Sequence, residues 1–249
     1  VLNFGVGGYG MDQAFLRFRK LGRPLRPEVV VFGFQPENVG RNLNIVRPLY
    51  YQRTDLPFTK PRFVSEGGAL RVVNVPTVPP QALPALLRDF ASWEHAPHEG
   101  SIVAADYEDH PWLKSRVVAL GLDLLARRSS APEEEARFDP TGEQGGLALA
   151  IIAVFAADVR ASGARFVVVH LPRPVDLAAL RAGRPLPYAA LLREVRERYQ
   201  LVDPAEGLLR AAASLPEGAL FADEVGHYAD PGHAAVAAAV SARLASPGP

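Results

Sequence analysis

The sequence predicts an α/β fold built on a mostly parallel sheet, and two observations carry that prediction. Short, nearly continuous apolar runs at residues 1–6, 28–34 and 165–170 are too apolar for a sheet with one face in water. Between and after them lie segments whose apolar residues recur at helical spacing, so that strand, helix and strand follow one another as in a βαβ unit.

Residues 1–6 (Val-Leu-Asn-Phe-Gly-Val) read as a buried parallel strand, broken by Gly7-Gly8-Tyr9-Gly10. From Asp12 an amphipathic helix is expected, with Phe15 and Phe18 on one face and Leu21 near its end, stopped by Gly22 and Pro24. Residues 28–34 give the next strand. After the loop 35–42 the pattern loosens. Phe63-Val64 and Leu70 to Val73 flank Glu66-Gly67-Gly68 and predict a hairpin. Residues 76–84 form a proline-rich connector, 112–125 read as a helix, and 129–146 as a polar surface segment. We read 41–146 as an insertion over one face of the sheet, within a single α/β domain spanning 1–249. Regularity returns with Leu147, Ile151, Val154 and Phe155 on a helix ended by Gly163, then a strand at 165–170 closed by Leu171-Pro172. Leu191, Leu192, Val195 and Tyr199 mark a further helix, leading to a short strand near Leu201-Val202. A final helix carries Val236, Val240 and Leu244 on one face.

Composition narrows the function. The 249 residues carry a formal net charge of zero and no long basic run, which removes the electrostatic case for nucleic acid. Cysteine is absent, which excludes disulfides and thiolate metal sites. No apolar run reaches transmembrane length and no signal peptide is visible, so the compartment stays unknown. The chain opens at Val1 without a methionine, directly in an apolar run, and is read as a fragment of a longer protein.

Proton chemistry concentrates near the end, where residues 220–233 hold three acids and two histidines ahead of a helix. Asp230 precedes Pro231 at the start of that helix, the pattern of an N-cap followed by proline at the first helical position. Asp230 is therefore assigned to the helix, and His233, in its first turn, to packing against the loop. His227 lies outside the helix with Asp223 and Glu224 upstream, and is the better candidate for a base held by a carboxylate.

Gly5-x-Gly7-x-x-Gly10 matches the dinucleotide fingerprint, although the acid that should follow the next strand would be Glu37, late and beyond Pro36. The same glycines also serve a simple tight turn. A broader set of blocks resembles the SGNH (GDSL-type) hydrolases: Asn3-x-Gly5-Val6-x-Gly8-Tyr9-Gly10-x-Asp12-Gln13; the apolar strand ending in Glu37-Asn38-Val39, with Asn42 beyond; and Asp223/Glu224, His227-Tyr228 and Gly232-His233 before a helix. The resemblance implies a flavodoxin-like three-layer α/β/α fold and a serine esterase or acyl hydrolase acting on a small-molecule, carbohydrate or lipid ester, without cofactor or metal.

Carried over residue by residue, the resemblance makes His227 the base and Asp223 or Glu224 its acid, Asp223 by residue type and Glu224 by the strict spacing. It puts the Gly8 N–H and the Asn38 amide at the oxyanion hole. A strict count would put Glu37 in place of Asn38, but only an amide donates a hydrogen bond to an oxyanion. The family's Gly-Asp-Ser block belongs upstream of Asn3, and no such tripeptide occurs in the 249 residues. N-terminal truncation is the expectation, with the first strand of the sheet missing. A non-catalytic carbohydrate- or lipid-binding relative and a dinucleotide-binding domain are the alternatives. Of the remaining polar residues, His95, His98 and His110 with Glu108 and Asp109 are read as surface groups, His170 as lining a pocket or capping the sheet, and Arg41, Arg47, Lys60 and Arg62 as anion contacts or scattered surface charge.

Overall fold

A computed structural model describes residues 1–51, 57–100, 115, 117–118, 136–216, 218–223 and 225–245. In chain order its main elements begin with α1 (Met11–Arg17), β1 (Val29–Phe34), α2 (Glu37–Arg41), α3 (Arg47–Tyr50), β2 (Arg62–Glu66), β3 (Ala69–Val73) and α4 (Leu83–Arg88). They continue with α5 (Glu143–Ala161), β4 (Arg165–His170), α6 (Pro174–Arg181), α7 (Ala189–Arg198), β5 (Gln200–Val202), α8 (Ala205–Ala213) and α9 (Asp230–Ala245). The chain divides into two compact units: Val1–Lys20 with Val39–Ile152, and Leu21–Asn38 with Ala153–Pro249.

The second unit is mixed α/β around a three-stranded parallel sheet in the order β1-β4-β5. The apolar continuity of β4 has a direct cause: Val167 and Val168 are fully buried, one facing each way, because helices cover both faces. On one face Val167, Val169 and Val202 pack against Val236, Val240 and Leu244 of α9, the stripe read from the sequence. On the other, Phe32 and Phe166 meet Phe155 of α5, with ring centroids 5.5 and 5.2 Å away, and Tyr199 lies edge-on to Phe166. Helix α5 is long and apolar enough to cross a membrane by composition, with half of its window buried. Its apolar residues are core: Ile151, Ile152 and Val159 are fully buried.

The first unit is organised on the β2–β3 hairpin. Glu66 pairs with Ala69 across Gly67-Gly68, both at positive φ (58° and 83°), the backbone a two-residue hairpin turn of this hand requires. Phe15 of α1 stacks on Phe63 at 5.8 Å, while Val64 and Val73 join Ile45, Val46 and Leu83 in an apolar cluster. Among these sit buried charges. Lys60 Nζ bonds the fully buried Asp12 carboxylate, and Glu99 accepts the backbone N–H groups of Ile45 (2.8 Å) and Val46 (2.7 Å).

Several expectations are corrected. Residues 1–6 form no strand: Asn3 Oδ1 accepts the Gly5 N–H at 2.8 Å in a local turn, and Val1 and Leu2 stand exposed. An apolar run becomes a strand only beside a partner, and the asparagine offers the backbone a local alternative. Gly22 does not stop α1 at once; the chain runs on through a π-helical turn, Phe18–Gly22, and a 3₁₀ turn, Arg23–Leu25. The polar segment 129–146 turns helical at Glu143, and a Cβ at Gly145 would lie 2.1 Å from Asp139 O, so this glycine permits a close crossing rather than a break. The proline-rich connector contains the start of α4, with Leu83 buried. Lys60 and Arg62 are buried, not scattered surface charge; Asp12 neutralises the first, and the carbonyls of Leu43 and His98 hold the second. The helix expected at 112–125 and the acidic run at Glu133 to Glu135 lie outside the described residues, save for 115 and 117–118.

Candidate functional site

The carboxyl ends of β4 and β5 carry the polar side chains of the second unit, as strand ends of parallel sheets commonly do. Beyond them the chain from Leu220 to Tyr228 closes on itself. Phe221 and Tyr228 form an antiparallel bridge with stacked rings 5.0 Å apart, Ala222 N–H donates to His227 O (2.7 Å), and Ala229 N–H donates to Leu220 O (2.9 Å). Tyr228 Oη donates to Pro172 O at 2.8 Å, which fastens the loop to the chain leaving β4. Gly226 supplies the turn, at φ 113°, a conformation closed to most side chains.

Within this loop Asp223 serves two purposes at once. Its Oδ1 accepts the N–H groups of Gly226 (2.9 Å) and His227 (3.1 Å), and its Oδ2 faces His227 Nδ1 at 2.5 Å. The bond from the His227 ring, and then the backbone bonds, hold the Asp223 carboxyl at about 2. Ionised, it only accepts, so Nδ1–H of His227 is the donor to it, and Nε2 is the ring nitrogen left for a further partner. The His227 side chain is 72% exposed, and Nε2 has no partner among the described residues. That is the geometry of a carboxylate-oriented imidazole base. Glu224, the alternative acid, lies outside the described residues.

Helix α9 follows directly. It is counted from Asp230, one residue earlier than an N-cap at Asp230 would place it and within the usual variation of helix ends. His233 packs edge-on against Tyr228 at 5.9 Å, in keeping with the packing role assigned to it. Gly232 is buried because the helix crosses the loop closely: a Cβ there would lie 2.3 Å from Leu220 O and 2.7 Å from the Tyr228 ring.

Asn38 belongs to the same unit. It is the second residue of α2, just past the carboxyl end of β1, half-buried, with its N–H donating to Gln35 O at 3.0 Å. Gly8 belongs to the first unit. It sits at φ 80°, its carbonyl accepts from Arg47 Nη1 at 3.4 Å, and its N–H has no partner among the described residues. At the same turn the N–H groups of Gly10, Met11 and Gln13 are taken by the side chains of Gln13, Asn42 and Asp12. The helix start that a dinucleotide phosphate would use is thus largely satisfied from within.

The sequence reading missed a second histidine–carboxylate pair. His170, fully buried at the end of β4, places Nδ1 3.0 Å from Asp203 Oδ1 and Nε2 3.1 Å from Tyr188 Oη. Burial works against the charge on Asp203, but the His170 bond, with Ala205 N–H and Arg196, outweighs it and holds the carboxyl below its ordinary range. Burial, then the nearby Asp176, drives Tyr188 upward. Asp203 directly follows a short apolar strand, the one signal in the sequence that it stands at a strand end. The group ties the sheet's carboxyl ends together and is closed to solvent at His170.

A pocket of about 660 Å³ opens in the first unit beside Arg62, Val64, His98, Glu143 and Leu147; of the candidate anion contacts it takes in Arg62, while Gly8, Asn38, Asp223 and His227 do not line it. His95 Nε2 accepts Asn74 N–H at 3.1 Å, His110 and its neighbours Glu108 and Asp109 lie outside the described residues, and no cluster of three or more potential metal ligands occurs among the described residues. Comparison with known protein-family models, curated proteins and solved structures finds no match to this chain.

Proposed function

We propose that the chain carries the base and acid of a serine esterase or acyltransferase of the SGNH type, on a flavodoxin-like scaffold, acting on a small-molecule, carbohydrate or lipid ester. The observation that carries the reading is the Asp223–His227 pair, with its outward Nε2 on a loop beyond the carboxyl ends of a parallel sheet. In the proposed reaction His227 Nε2 takes the proton from a serine hydroxyl as it attacks the ester carbonyl and returns it to the leaving alcohol. Asp223 holds the tautomer and stabilises the imidazolium. The Asn38 amide, in the same unit as His227, donates to the tetrahedral oxyanion, where one such donor is worth roughly a hundredfold or more in rate. No Gly-Asp-Ser tripeptide occurs in the sequence, so the reading requires such a block in a longer form of the protein.

The test is ester hydrolysis by the product of the complete coding region, with and without His227→Ala. Activity should vanish in that variant, whereas His233→Ala should keep turnover and lose stability through the Tyr228 contact. Undiminished turnover in His227→Ala would sink the assignment. The serine pattern also favours a second reading, a carbohydrate- or lipid-binding module without catalysis. Labelling of the complete product by a serine-directed fluorophosphonate would exclude it.

A further inference from the structure

The pocket of the first unit is walled by β2, residues 97–100 and the start of α5, so it lies wholly within that unit. At about 660 Å³ it falls within the roughly 300–1,000 Å³ of small-molecule sites. Arg62 is the fixed group of its wall, 6% exposed, with Nη1 donating to Leu43 O at 2.7 Å and to His98 O. Its Nη2 makes no hydrogen bond among the described residues, and Glu143 Oε1 lies 3.6 Å away. Two buried atoms of the lining residues also have no hydrogen-bond partner among the described residues: Nε of Arg62, a donor, and Oε1 of Gln144, an acceptor. Native proteins leave few such atoms unpaired.

The charges around the pocket are already matched. Glu143 faces Arg62, and Arg71 Nε donates to Glu66 Oε2 at 2.8 Å. Burial, then the Arg62 and Arg71 charges, push the His98 imidazole down, so near neutral pH it offers one donor and one acceptor nitrogen. An ionic ligand would add a charge without a counterpart, and an apolar one would leave the polar groups unpaired. A hydroxyl both accepts and donates, so the same kind of group can take a hydrogen from Arg62 and give one to Gln144 or Glu143. Val64, Pro97, Leu147 and Ala150 supply apolar wall for the C–H groups between hydroxyls. From these features we infer that the pocket binds a neutral polyhydroxylated small molecule, a sugar or a cyclic polyol, held by Arg62, Gln144 and His98. The site is independent of the esterase reading, because no residue of the second unit takes part.

The experiment is titration of the 249-residue chain with the methyl glycosides of glucose, galactose and mannose and with myo-inositol, followed by calorimetry and NMR. Saturable binding of at least one of these is expected, moving the Arg62 Nε–H, the Gln144 side-chain amide and the Gly142 and Gly146 amides while leaving those of Gly226 and His227 in place. The uronic acid and the amino sugar of the same configuration should bind more weakly. Gln144→Leu should weaken binding by about three- to tenfold, the scale of one neutral hydrogen bond, and Ala150→Phe, which fills the pocket, should abolish it. Tighter binding of a glycoside assigns a sugar, and tighter binding of myo-inositol a cyclic polyol. Absence of saturable binding by every neutral probe overturns the inference, as does a charged counterpart that binds as tightly, or unchanged affinity in folded Ala150→Phe. Should the variants fail to fold, unmoved Arg62 and Gln144 signals in the natural chain overturn it equally. No turnover is read in this assay, so the sugar site and the esterase reading fail separately.

Discussion

If Asp223 orients His227, removing the imidazole must change how the carboxylate titrates. Three donors converge on Asp223: His227 Nδ1 at 2.5 Å, Gly226 N at 2.9 Å and His227 N at 3.1 Å. Together they hold its carboxyl at about 2, against an ordinary value of 3.8, with the ring bond contributing most. His227→Ala deletes that bond and leaves the two backbone donors, so the midpoint should rise from about 2 but stop short of 3.8. Because the folded value is depressed, the loop's stabilisation by Asp223 is fully present above 3.8 and is lost as pH falls toward 2. Titration of the Asp223 carboxyl carbon by NMR, with amide exchange of Gly226 and His227 followed in parallel, measures both. Near neutral pH the two amides should be protected, and they should lose protection through that acid window. An unshifted midpoint in His227→Ala, or an ordinary midpoint in the natural chain, refutes the pair as described.

Two further outcomes test the fold around the candidate site. Gly232→Ala should destabilise the chain by about 1–3 kcal/mol in urea unfolding, since the new methyl group meets the Leu220 carbonyl and forces α9 off the loop. Unchanged stability would mean that α9 does not cross Leu220 as closely as described. Lys60→Met should cost about 3–5 kcal/mol, because it leaves the fully buried Asp12 without its counter-charge, while adding Asp12→Leu should restore most of the loss. Burial pushes the Asp12 carboxyl up and the Lys60 ammonium down, and the attraction between the two opposes both shifts.

The sequence by itself determined the local elements whose cause is local. The runs at β1 and β4 announced a parallel sheet, buried on both faces along β4, the Gly67-Gly68 pair announced a hairpin, and the spacing of Val236, Val240 and Leu244 announced the face of α9 that covers β4 and β5. That His227 would meet an upstream carboxylate was legible for the same reason, with Asp223 and Glu224 both open: Asp223 lies four positions before His227, and Gly226 between them bends the chain so that the two side chains meet locally. Only the tertiary structure decided what depends on distant neighbours. Residues 1–6 look like a strand and are not one, because they form no ladder with another strand among the described residues and Asn3 closes a local turn. Residues 129–146 read as a polar surface segment, yet α5 begins within them at Glu143, where Gly145 lets the backbone approach Asp139 closely. His170, Asp203 and Tyr188 come from separate elements and meet only because parallel pairing sets the ends of β4 and β5 side by side. Lys60 and Arg62 read as anion contacts or surface charge, and the structure buries them because Asp12 and two carbonyls, far away in sequence, make their burial tolerable. Charge burial is settled by partners, and partners that lie far apart in the chain are found only once it has folded.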